Sequence, residues 1–158
     1  MFGFSNKSLL ILNSVDIDLQ TVFNEVIKIT NIDFGISHGY RTPSEQFELF
    51  KNGRTYVNNK LVINDISKVV TYKDGINSKS KHNIREAVDI YVYFKNYKSQ
   101  AYNKCALSYI AGIVRCVSEL FYNNGKIKRK VIWGGNWDDD NDFTLDHTFV
   151  DYPHFELE

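Results

Sequence analysis

Apolar residues recur at helical spacing in two stretches of the chain. In residues 15–30, apolar side chains fall on one helical face, and Asp16 and Asp18 stand near the start, where negative charge suits the helix dipole. Residues 101–123 repeat the pattern over a longer stretch that ends at Asn124-Gly125. Its predicted inner face consists of Leu107, Ile110, Ala111, Val114, Val117, Ser118 and Phe121. Two amphipathic helices are therefore predicted.

Other stretches have the composition of strands. Residues 86–94 form a run of β-branched and aromatic residues, which predicts a strand, and residues 33–40 predict a shorter one. Residues 131–133 and 153–157 predict two more strands, with a polar, acidic loop between them. This order of helices and strands predicts a small mixed α+β domain.

Two local signals lie between the first two strands. Thr42-Pro43-Ser44-Glu45 has the residues of a capped helix start, and we expect that helix to end at Gly53. Asn58-Asn59 stands between β-type segments, so residues 54–71 are predicted to form either a hairpin or an irregular excursion. Residues 73–81 are polar and are expected to form a loop.

Length and charge limit the classes of function. The chain has 158 residues, enough for one domain over 1–158, and its 19 Lys and Arg residues balance 19 Asp and Glu residues. A formal net charge of zero gives no global attraction to nucleic acid or to an anionic membrane, so neither is expected as a partner. No run of about 18 apolar residues and no export signal is evident, so we expect a protein without membrane insertion.

The two cysteines stand in the second predicted helix. Cys105 and Cys116 are separated by about 16 Å along a helix, too far for a disulfide bond. We expect both to be reduced thiols in the core, in a reducing compartment.

Two pairs of residues have the chemistry of a metal site. His82 and Asp89 are seven residues apart, and Asp151 and His154 are three apart near the C-terminus. Two histidines and a carboxylate form a three-ligand zinc set that leaves one position open, and a further carboxylate can act as a base for amide hydrolysis. The spacing alone also fits chance pairs and structural histidines, although a carboxylate within the apolar run 87–94 calls for a partner.

Four segments resemble a known peptidase family. Residues 80–89, SKHNIREAVD, resemble the SxHxxGxAxD motif of the zinc D-alanyl-D-alanine carboxypeptidase and L-alanyl-D-glutamate peptidase family. Residues 151–156, DYPHFE, resemble its closing DxPHFE motif, and residues 39–46, GYRTPSEQ, resemble its GYRSxxEQ segment. Residues 133–137, WGGNW, look like the WGGxW of its peptidoglycan endopeptidases, including phage endolysins.

This resemblance implies roles for particular residues. His82, Asp89 and His154 would be zinc ligands, and Asp151 would be the catalytic base. Arg41 would be a catalytic cation for the oxyanion or for a substrate carboxylate, with an ordinary surface ion pair as the alternative.

Further residues of these motifs are candidates for contacts with the substrate or for support of the site. Gln46 either supports the site or lies exposed on its helix, and Ser80 either holds a ligand or substrate or caps a loop. Trp137 and Trp133 are candidate walls of the cleft, with core packing the alternative for Trp133.

One residue departs from the family pattern. Arg85 stands where the family has glycine, so either the backbone does not need a glycine-only conformation there or the loop is rebuilt.

The remaining candidates are a calcium loop and two histidines. Asp138, Asp140 and Asp142 alternate as in a calcium loop, but Phe143 and Phe149 occupy the positions of its usual Gly and Glu, so a solvated acidic loop is the alternative to a Ca²⁺ site. His147 is a candidate substrate contact. His38 lies near the motif residues, and a partly buried strand histidine is the simpler interpretation.

The resemblance implies a zinc peptidase with the α+β fold that the family shares with the hedgehog signalling domain: an antiparallel central sheet flanked by helices. We expect cleavage of the L-Ala–D-Glu bond of peptidoglycan by a monomeric phage or prophage endolysin that stays in the host cytoplasm until release; a lytic component of a phage tail is another possibility. The alternatives are a D-Ala-D-Ala carboxypeptidase and a cell-wall binding module without catalysis.

Overall fold

A four-stranded antiparallel sheet forms the centre of the protein. The structure is a computed structural model that describes residues 1–137 and 150–158. The strands of this sheet are β1 Phe34–His38, β4 Ala87–Val92, β5 Val131–Trp133 and β6 His154–Leu157, in the spatial order β1-β4-β6-β5. All three pairings are antiparallel. The predicted α+β class with an antiparallel central sheet is confirmed.

The two faces of the sheet have different surroundings. Along β4, Val88, Ile90 and Val92 are buried, whereas Asp89 between them is only partly buried. Successive side chains of a strand point to opposite faces, so one face packs on the core and Asp89 lies on the other. The second face is therefore available for a polar site.

Helices cover the apolar face. Helix α2 Ile17–Ile29 and helix α4 Lys104–Asn123 pack against each other and against the sheet, and Phe23 of α2 makes an edge-to-face contact with Phe155, with ring centroids 5.4 Å apart. Both helices were predicted. The carboxylate of Asp16 caps α2 by accepting a hydrogen bond from the backbone N–H of Asp18 at 2.9 Å.

The predicted inner face of α4 is confirmed, because all seven of its residues are buried. By length and composition this helix could also cross a membrane, a criterion that the core helix of a soluble protein meets as well. The lack of a long apolar run therefore does not exclude a membrane-spanning helix in this chain. The absence of membrane insertion stays a prediction.

The placement of the cysteines in the core is wrong. Cys105 and Cys116 are free thiols, as expected, but both are exposed on α4. Eleven residues correspond to about three helical turns, so the two share one face of the helix, and that face is turned away from the core.

Two shorter helices, α1 Asn6–Leu12 and α3 Pro43–Phe50, complete the α-helices of the described residues. Helix α1 was not predicted; it packs against β1, and its Ser8 hydroxyl accepts a hydrogen bond from the Ile36 backbone N–H at 3.1 Å. The start of α3 is as predicted, with Thr42 and Glu45 forming a reciprocal capping box.

Residues 54–63 form the predicted hairpin. Strands β2 Arg54–Val57 and β3 Lys60–Ile63 pair antiparallel as a separate two-stranded sheet. Asn58 and Asn59 connect them with φ values of 48° and 62°. A two-residue turn with positive φ at both positions matches the right-handed twist of the strands, and asparagine tolerates that conformation well.

Candidate metal centre

The three predicted metal ligands meet on the polar face of the sheet. Nε2 of His82 lies 3.3 Å from Oδ1 of Asp89 and 3.3 Å from Nδ1 of His154, and that Nδ1 lies 3.0 Å from the same Oδ1. Bonds of about 2.0–2.1 Å in a tetrahedral zinc site separate ligand atoms by roughly 3.3 Å. The three atoms therefore form a triangle of the size that one small divalent ion requires.

The backbone explains how these residues meet. Asp89 on β4 and His154 on β6 are register partners across neighbouring strands, so their side chains share one face. His82 comes from a 3-10 helix, Lys81–Ile84, which leads directly into β4. The hydroxyl of Ser80 caps this helix by accepting a hydrogen bond from the His82 N–H at 3.3 Å, which is the loop-capping role considered for it.

Outer partners orient both imidazoles. The carbonyl of Gly39 accepts a hydrogen bond from Nδ1 of His82 at 2.7 Å, and the carboxylate of Glu156 accepts one from Nε2 of His154 at 2.9 Å. Because each of these nitrogens donates outward, the other nitrogen faces the triangle and has a lone pair for a metal when the ring is neutral.

Glu156 is a site residue that the sequence interpretation missed. Glu156 belongs to the DYPHFE motif, but the motif alone predicted no role for it. A signal was present, since residues two apart on a strand lie on the same face, and His154 and Glu156 both belong to β6.

Electrostatics couple the acid and the second histidine. Burial by itself would raise the pKa of Asp89, but hydrogen bonds from His154 and His82 and their charges hold it well below its usual value. Burial would lower the pKa of His154, but hydrogen bonds to Asp89 and Glu156 outweigh it and raise that pKa to about 9. Without a metal, the cluster therefore favours an ionised Asp89 beside a protonated His154.

Asp151 stands at the edge of the same cluster. Its pKa is raised, first by burial and then by the negative charge of Asp89, while His154, His82 and Arg41 act in the opposite direction. Its backbone N–H donates to the carbonyl of Gly134 at 2.8 Å, which fixes the start of the closing motif against the turn after β5. A carboxylate with a raised pKa near a metal site is suited to proton transfer.

Arg41 points into the cluster from the loop after β1. One guanidinium nitrogen donates to Oε1 of Gln46 at 2.8 Å, and the other lies 3.8 Å from Oδ2 of Asp89. Only 16% of the Arg41 side chain is exposed, and the backbone N–H of Arg41 donates to the His82 carbonyl at 3.2 Å. A fixed cation is thereby held next to the ligand set.

Gln46 lies behind Arg41 and is only 1% exposed. Its amide nitrogen donates to the Thr71 hydroxyl at 3.2 Å and to the Lys73 carbonyl at 3.0 Å, while its oxygen accepts from Arg41. Of the two interpretations from the sequence, an exposed helix residue does not match this burial, whereas a residue that supports the site does. Its contacts support the site through Arg41.

The WGGNW segment forms a turn beside the ligands. The ring of Trp137 lies 5.3 Å from the ring of His154, and the backbone N–H of Gly134 donates to the His154 carbonyl at 2.8 Å. The Trp133 ring packs across Gly135, where a Cβ atom would overlap it, so glycine is needed there. Trp133 also contacts the Tyr152 ring and donates from Nε1 to the Tyr152 carbonyl at 2.8 Å.

Arg85 adopts the left-handed conformation that glycine adopts easily, with φ 66° and ψ 22°. The first alternative from the sequence is therefore confirmed: the left-handed conformation favours glycine but does not require it, and an arginine occupies it here. The Arg85 side chain donates to the Ser14 carbonyl at 2.7 Å and lies over the Tyr40 ring at 4.3 Å. These contacts offset part of the strain of positive φ at a non-glycine residue.

The other histidine of the described region lies beside the centre. His38 ends β1 as the register partner of Asp89, and its Nδ1 is 3.5 Å from Oδ2 of that residue. Its side chain is 59% exposed, so it is a strand histidine but not a partly buried one. The calcium-loop residues Asp138, Asp140 and Asp142, together with His147, lie outside the described residues.

Comparison with known proteins decides the family. The family model for phage L-alanyl-D-glutamate peptidases matches residues 1–158. The chain belongs to this family. The phage peptidase is thus a peptidoglycan hydrolase, and the resemblance noted in its motifs is confirmed.

A solved structure shares the fold of this phage peptidase. The crystal structure of the Serratia marcescens L-Ala D-Glu endopeptidase ChiX aligns with a TM-score of 0.65 at 21% sequence identity, covering 98% of this chain and 89% of that one. The likeness at this identity is one of fold. In the phage peptidase, the triangle of His82, Asp89 and His154 is a group that can hold a metal ion.

Proposed function

We propose that this peptidase is a zinc enzyme that cleaves the L-Ala–D-Glu bond of peptidoglycan stem peptides, and that the phage uses it to lyse its host. The observation that carries the proposal is the triangle of ligand atoms 3.0–3.3 Å apart in a chain of this family. His82, Asp89 and His154 would hold the ion. When bound, zinc lowers the pKa of a water molecule and polarises a carbonyl group.

Asp151 is the proposed general base. It takes the proton of the attacking water and delivers a proton to the departing amine of D-Glu when the peptide bond breaks. Its raised pKa and its electrostatic interaction with His154 and His82 support this role.

Arg41 is the proposed electrostatic stabiliser of the oxyanion. The hydrogen bond to Gln46 fixes its guanidinium, and a donor held in place before the reaction needs no reorganisation as charge develops. We assign Gln46 as the residue that positions Arg41. Trp137 and Ser80 border the site, with Trp137 as a wall of the cleft and Ser80 as the cap that holds His82.

We also propose that the enzyme acts as a monomer, without membrane insertion, and accumulates in the host cytoplasm until the membrane opens. Membership of a phage peptidase family supports this sequence of events.

Purified protein incubated with isolated peptidoglycan tests the proposal. We expect new amino termini on D-Glu, loss of activity with a chelator, and recovery with Zn²⁺. Asp151→Asn should lower kcat by about 10²–10⁴-fold, the range of general-base contributions, while leaving zinc binding intact. Glu158→Gln, an exposed change four residues beyond His154, is the matched control.

Mass spectrometry of the digest separates the outcomes. Release of single D-Ala residues would show a carboxypeptidase and contradict the endopeptidase. Bound zinc without any released termini would indicate a binding module without catalysis. Full activity after exhaustive removal of metal would overturn the zinc assignment.

A further inference from the structure

A cavity of about 260 Å³ lies between helix α4 and the turn that follows β5. Ser108, Ala111 and Gly112 line it from the helix, and Trp133, Asn136 and Tyr152 line it from the other side. None of the three ligand residues borders it, so it is distinct from the metal centre.

Asn136 gives this cavity an unfilled hydrogen-bonding group. Asn136 is only 5% exposed, and its Nδ2 has no hydrogen-bond partner in the part of the chain that the structure describes. A buried amide N–H without an acceptor is costly, and such groups are rare in folded proteins. The position therefore calls for a ligand with an acceptor oxygen, or for water.

The size and lining of the cavity favour an organic group. Its volume corresponds to about nine water molecules at roughly 30 Å³ each, more than one amide donor needs. Ala111 and the Trp133 ring provide apolar surface, and the Ser108 hydroxyl can accept a hydrogen bond. An acetamido group matches this lining, with a carbonyl for Asn136, an N–H for Ser108 and a methyl group for Ala111.

The cavity and the metal centre share one turn of the chain. Trp137 packs on the His154 ring, and the preceding residue, Asn136, lines the cavity. Tyr152, which also lines it, lies between Asp151 and His154 in the sequence. The turn after β5 therefore connects the cavity to the metal centre along the edge of the sheet.

We propose that this cavity binds the N-acetylated amino sugar that carries the stem peptide. The inference rests on the proposed function, because in peptidoglycan the L-Ala on one side of the scissile bond is joined through a lactyl group to N-acetylmuramic acid. Two chain units of about 3.5 Å each separate that bond from the sugar. The enzyme would thus prefer stem peptides still attached to glycan.

Position 112 allows the cavity to be filled without disturbing the core. A Cβ atom added at Gly112 meets no atom within 4 Å. Gly112 lies within α4, where leucine and alanine both have higher helix propensity than glycine. Gly112→Leu should therefore fold and occlude the cavity, while Gly112→Ala adds only one methyl group and is the matched control. Asn136→Ala removes the amide donor.

The experiment compares two soluble substrates: N-acetylmuramyl-L-Ala-D-Glu-L-Lys and the same peptide with an N-acetyl group in place of the muramyl group. For the wild-type enzyme we expect kcat/KM about tenfold higher on the muramyl substrate, in keeping with one buried hydrogen bond and its packing. Gly112→Leu and Asn136→Ala should lose that preference while cleaving the sugar-free peptide at the wild-type rate. Gly112→Ala should keep most of it.

Equal kcat/KM on the two substrates, or a preference that survives Gly112→Leu, would overturn the sugar site while the proposed peptidase stands. If neither substrate is cleaved, the proposed function fails, and NMR titration with N-acetylglucosamine still tests the cavity. Shifts at the Asn136 side-chain amide that disappear in Gly112→Leu would support the site. An unchanged spectrum would leave water as the occupant and overturn it.

Discussion

At the scale of single residues, the proposed metal site depends on which nitrogen of each histidine faces the triangle of ligand atoms. Nε2 of His82 and Nδ1 of His154 face it, and in each ring the opposite nitrogen donates to an outer acceptor, Gly39 or Glu156. The acceptor of His82 is a backbone carbonyl, which no substitution of one side chain removes. Glu156 is therefore the point at which this arrangement can be tested.

Glu156→Ala should lower zinc affinity by about 10- to 100-fold, the effect expected from loss of an outer carboxylate that orients a ligating histidine. Glu156→Gln should fall between Ala and wild type, since its amide oxygen still accepts the hydrogen bond but carries no charge. Competition with a chromophoric chelator measures the affinity. Glu158→Ala is the control, and equal affinities for the Glu156→Ala and Glu158→Ala variants would contradict the assigned role.

Arg85 allows backbone strain to be measured apart from side-chain contacts. Arg85→Ala and Arg85→Gly both remove the contacts with Ser14 and Tyr40, but only glycine relieves the positive φ. We expect the glycine variant to have the larger free energy of unfolding, by about 1 kcal/mol, in urea denaturation. At Tyr109, an exposed position within α4, the order should reverse, because glycine is the poorer helix former. If the alanine variant is the more stable one at both positions, the result would argue against strain at Arg85.

At the scale of elements, short sequence signals correctly predicted the features that depend only on neighbouring residues. The capping box at Thr42 and Glu45, the inner face of α4 and the asparagine turn of the β2–β3 hairpin all follow from short-range rules, and all three are present. The predicted burial of Cys105 and Cys116 was wrong because it followed from residue type and not from their position on the helix. Their spacing from Leu107 and Ile110 already places them outside the apolar face.

Helix α1 shows the limit of local inference. It has only seven residues, and a helix of that length is not stable alone in water. Its contacts with β1, including the hydrogen bond between Ser8 and Ile36, stabilise it. Those contacts join parts of the chain that the local pattern does not relate, and the N-cap residue Ser5 is too weak a signal by itself to predict this helix.

The capping box of α3 also supports the functional site. Thr42→Ala removes the acceptor of the Glu45 N–H and should lower the free energy of unfolding by about 1 kcal/mol. Because α3 carries Gln46, which holds Arg41, kcat should fall as well. Thr42→Ser keeps the hydroxyl and should preserve both values. Thermal or urea unfolding together with peptidoglycan cleavage provides the measurement, and loss of stability with unchanged kcat would separate the cap from the site.

At the scale of the whole molecule, the metal centre is a product of sheet topology. Asp89 and His154 are 65 residues apart in sequence and become neighbours only because β6 pairs with β4. Spacing alone left the four candidate residues indistinguishable from chance pairs, and only the resemblance of complete motifs selected them. Long-range strand pairing is the step that simple periodicity does not predict.

The same centre should make the stability of the protein depend jointly on pH and metal. The pKa of His154 is raised to about 9 in the metal-free fold. Its contribution to stability is therefore complete below about pH 6.5, the usual histidine pKa, and is lost as the pH rises through 9. Metal binding requires the neutral imidazole, so its stabilisation changes with pH in the opposite direction.

We therefore expect the Tm of chelator-treated protein to fall between pH 6.5 and 9, while the increase in Tm caused by excess Zn²⁺ grows over the same interval. Scanning calorimetry of the two forms measures both trends, and titration calorimetry in buffers of different ionisation enthalpy counts the protons that zinc displaces. At pH 7 we expect about one proton, from His154. A zinc-induced Tm increase that stays constant or shrinks with rising pH, without proton release, would show that the ion does not displace a proton from His154.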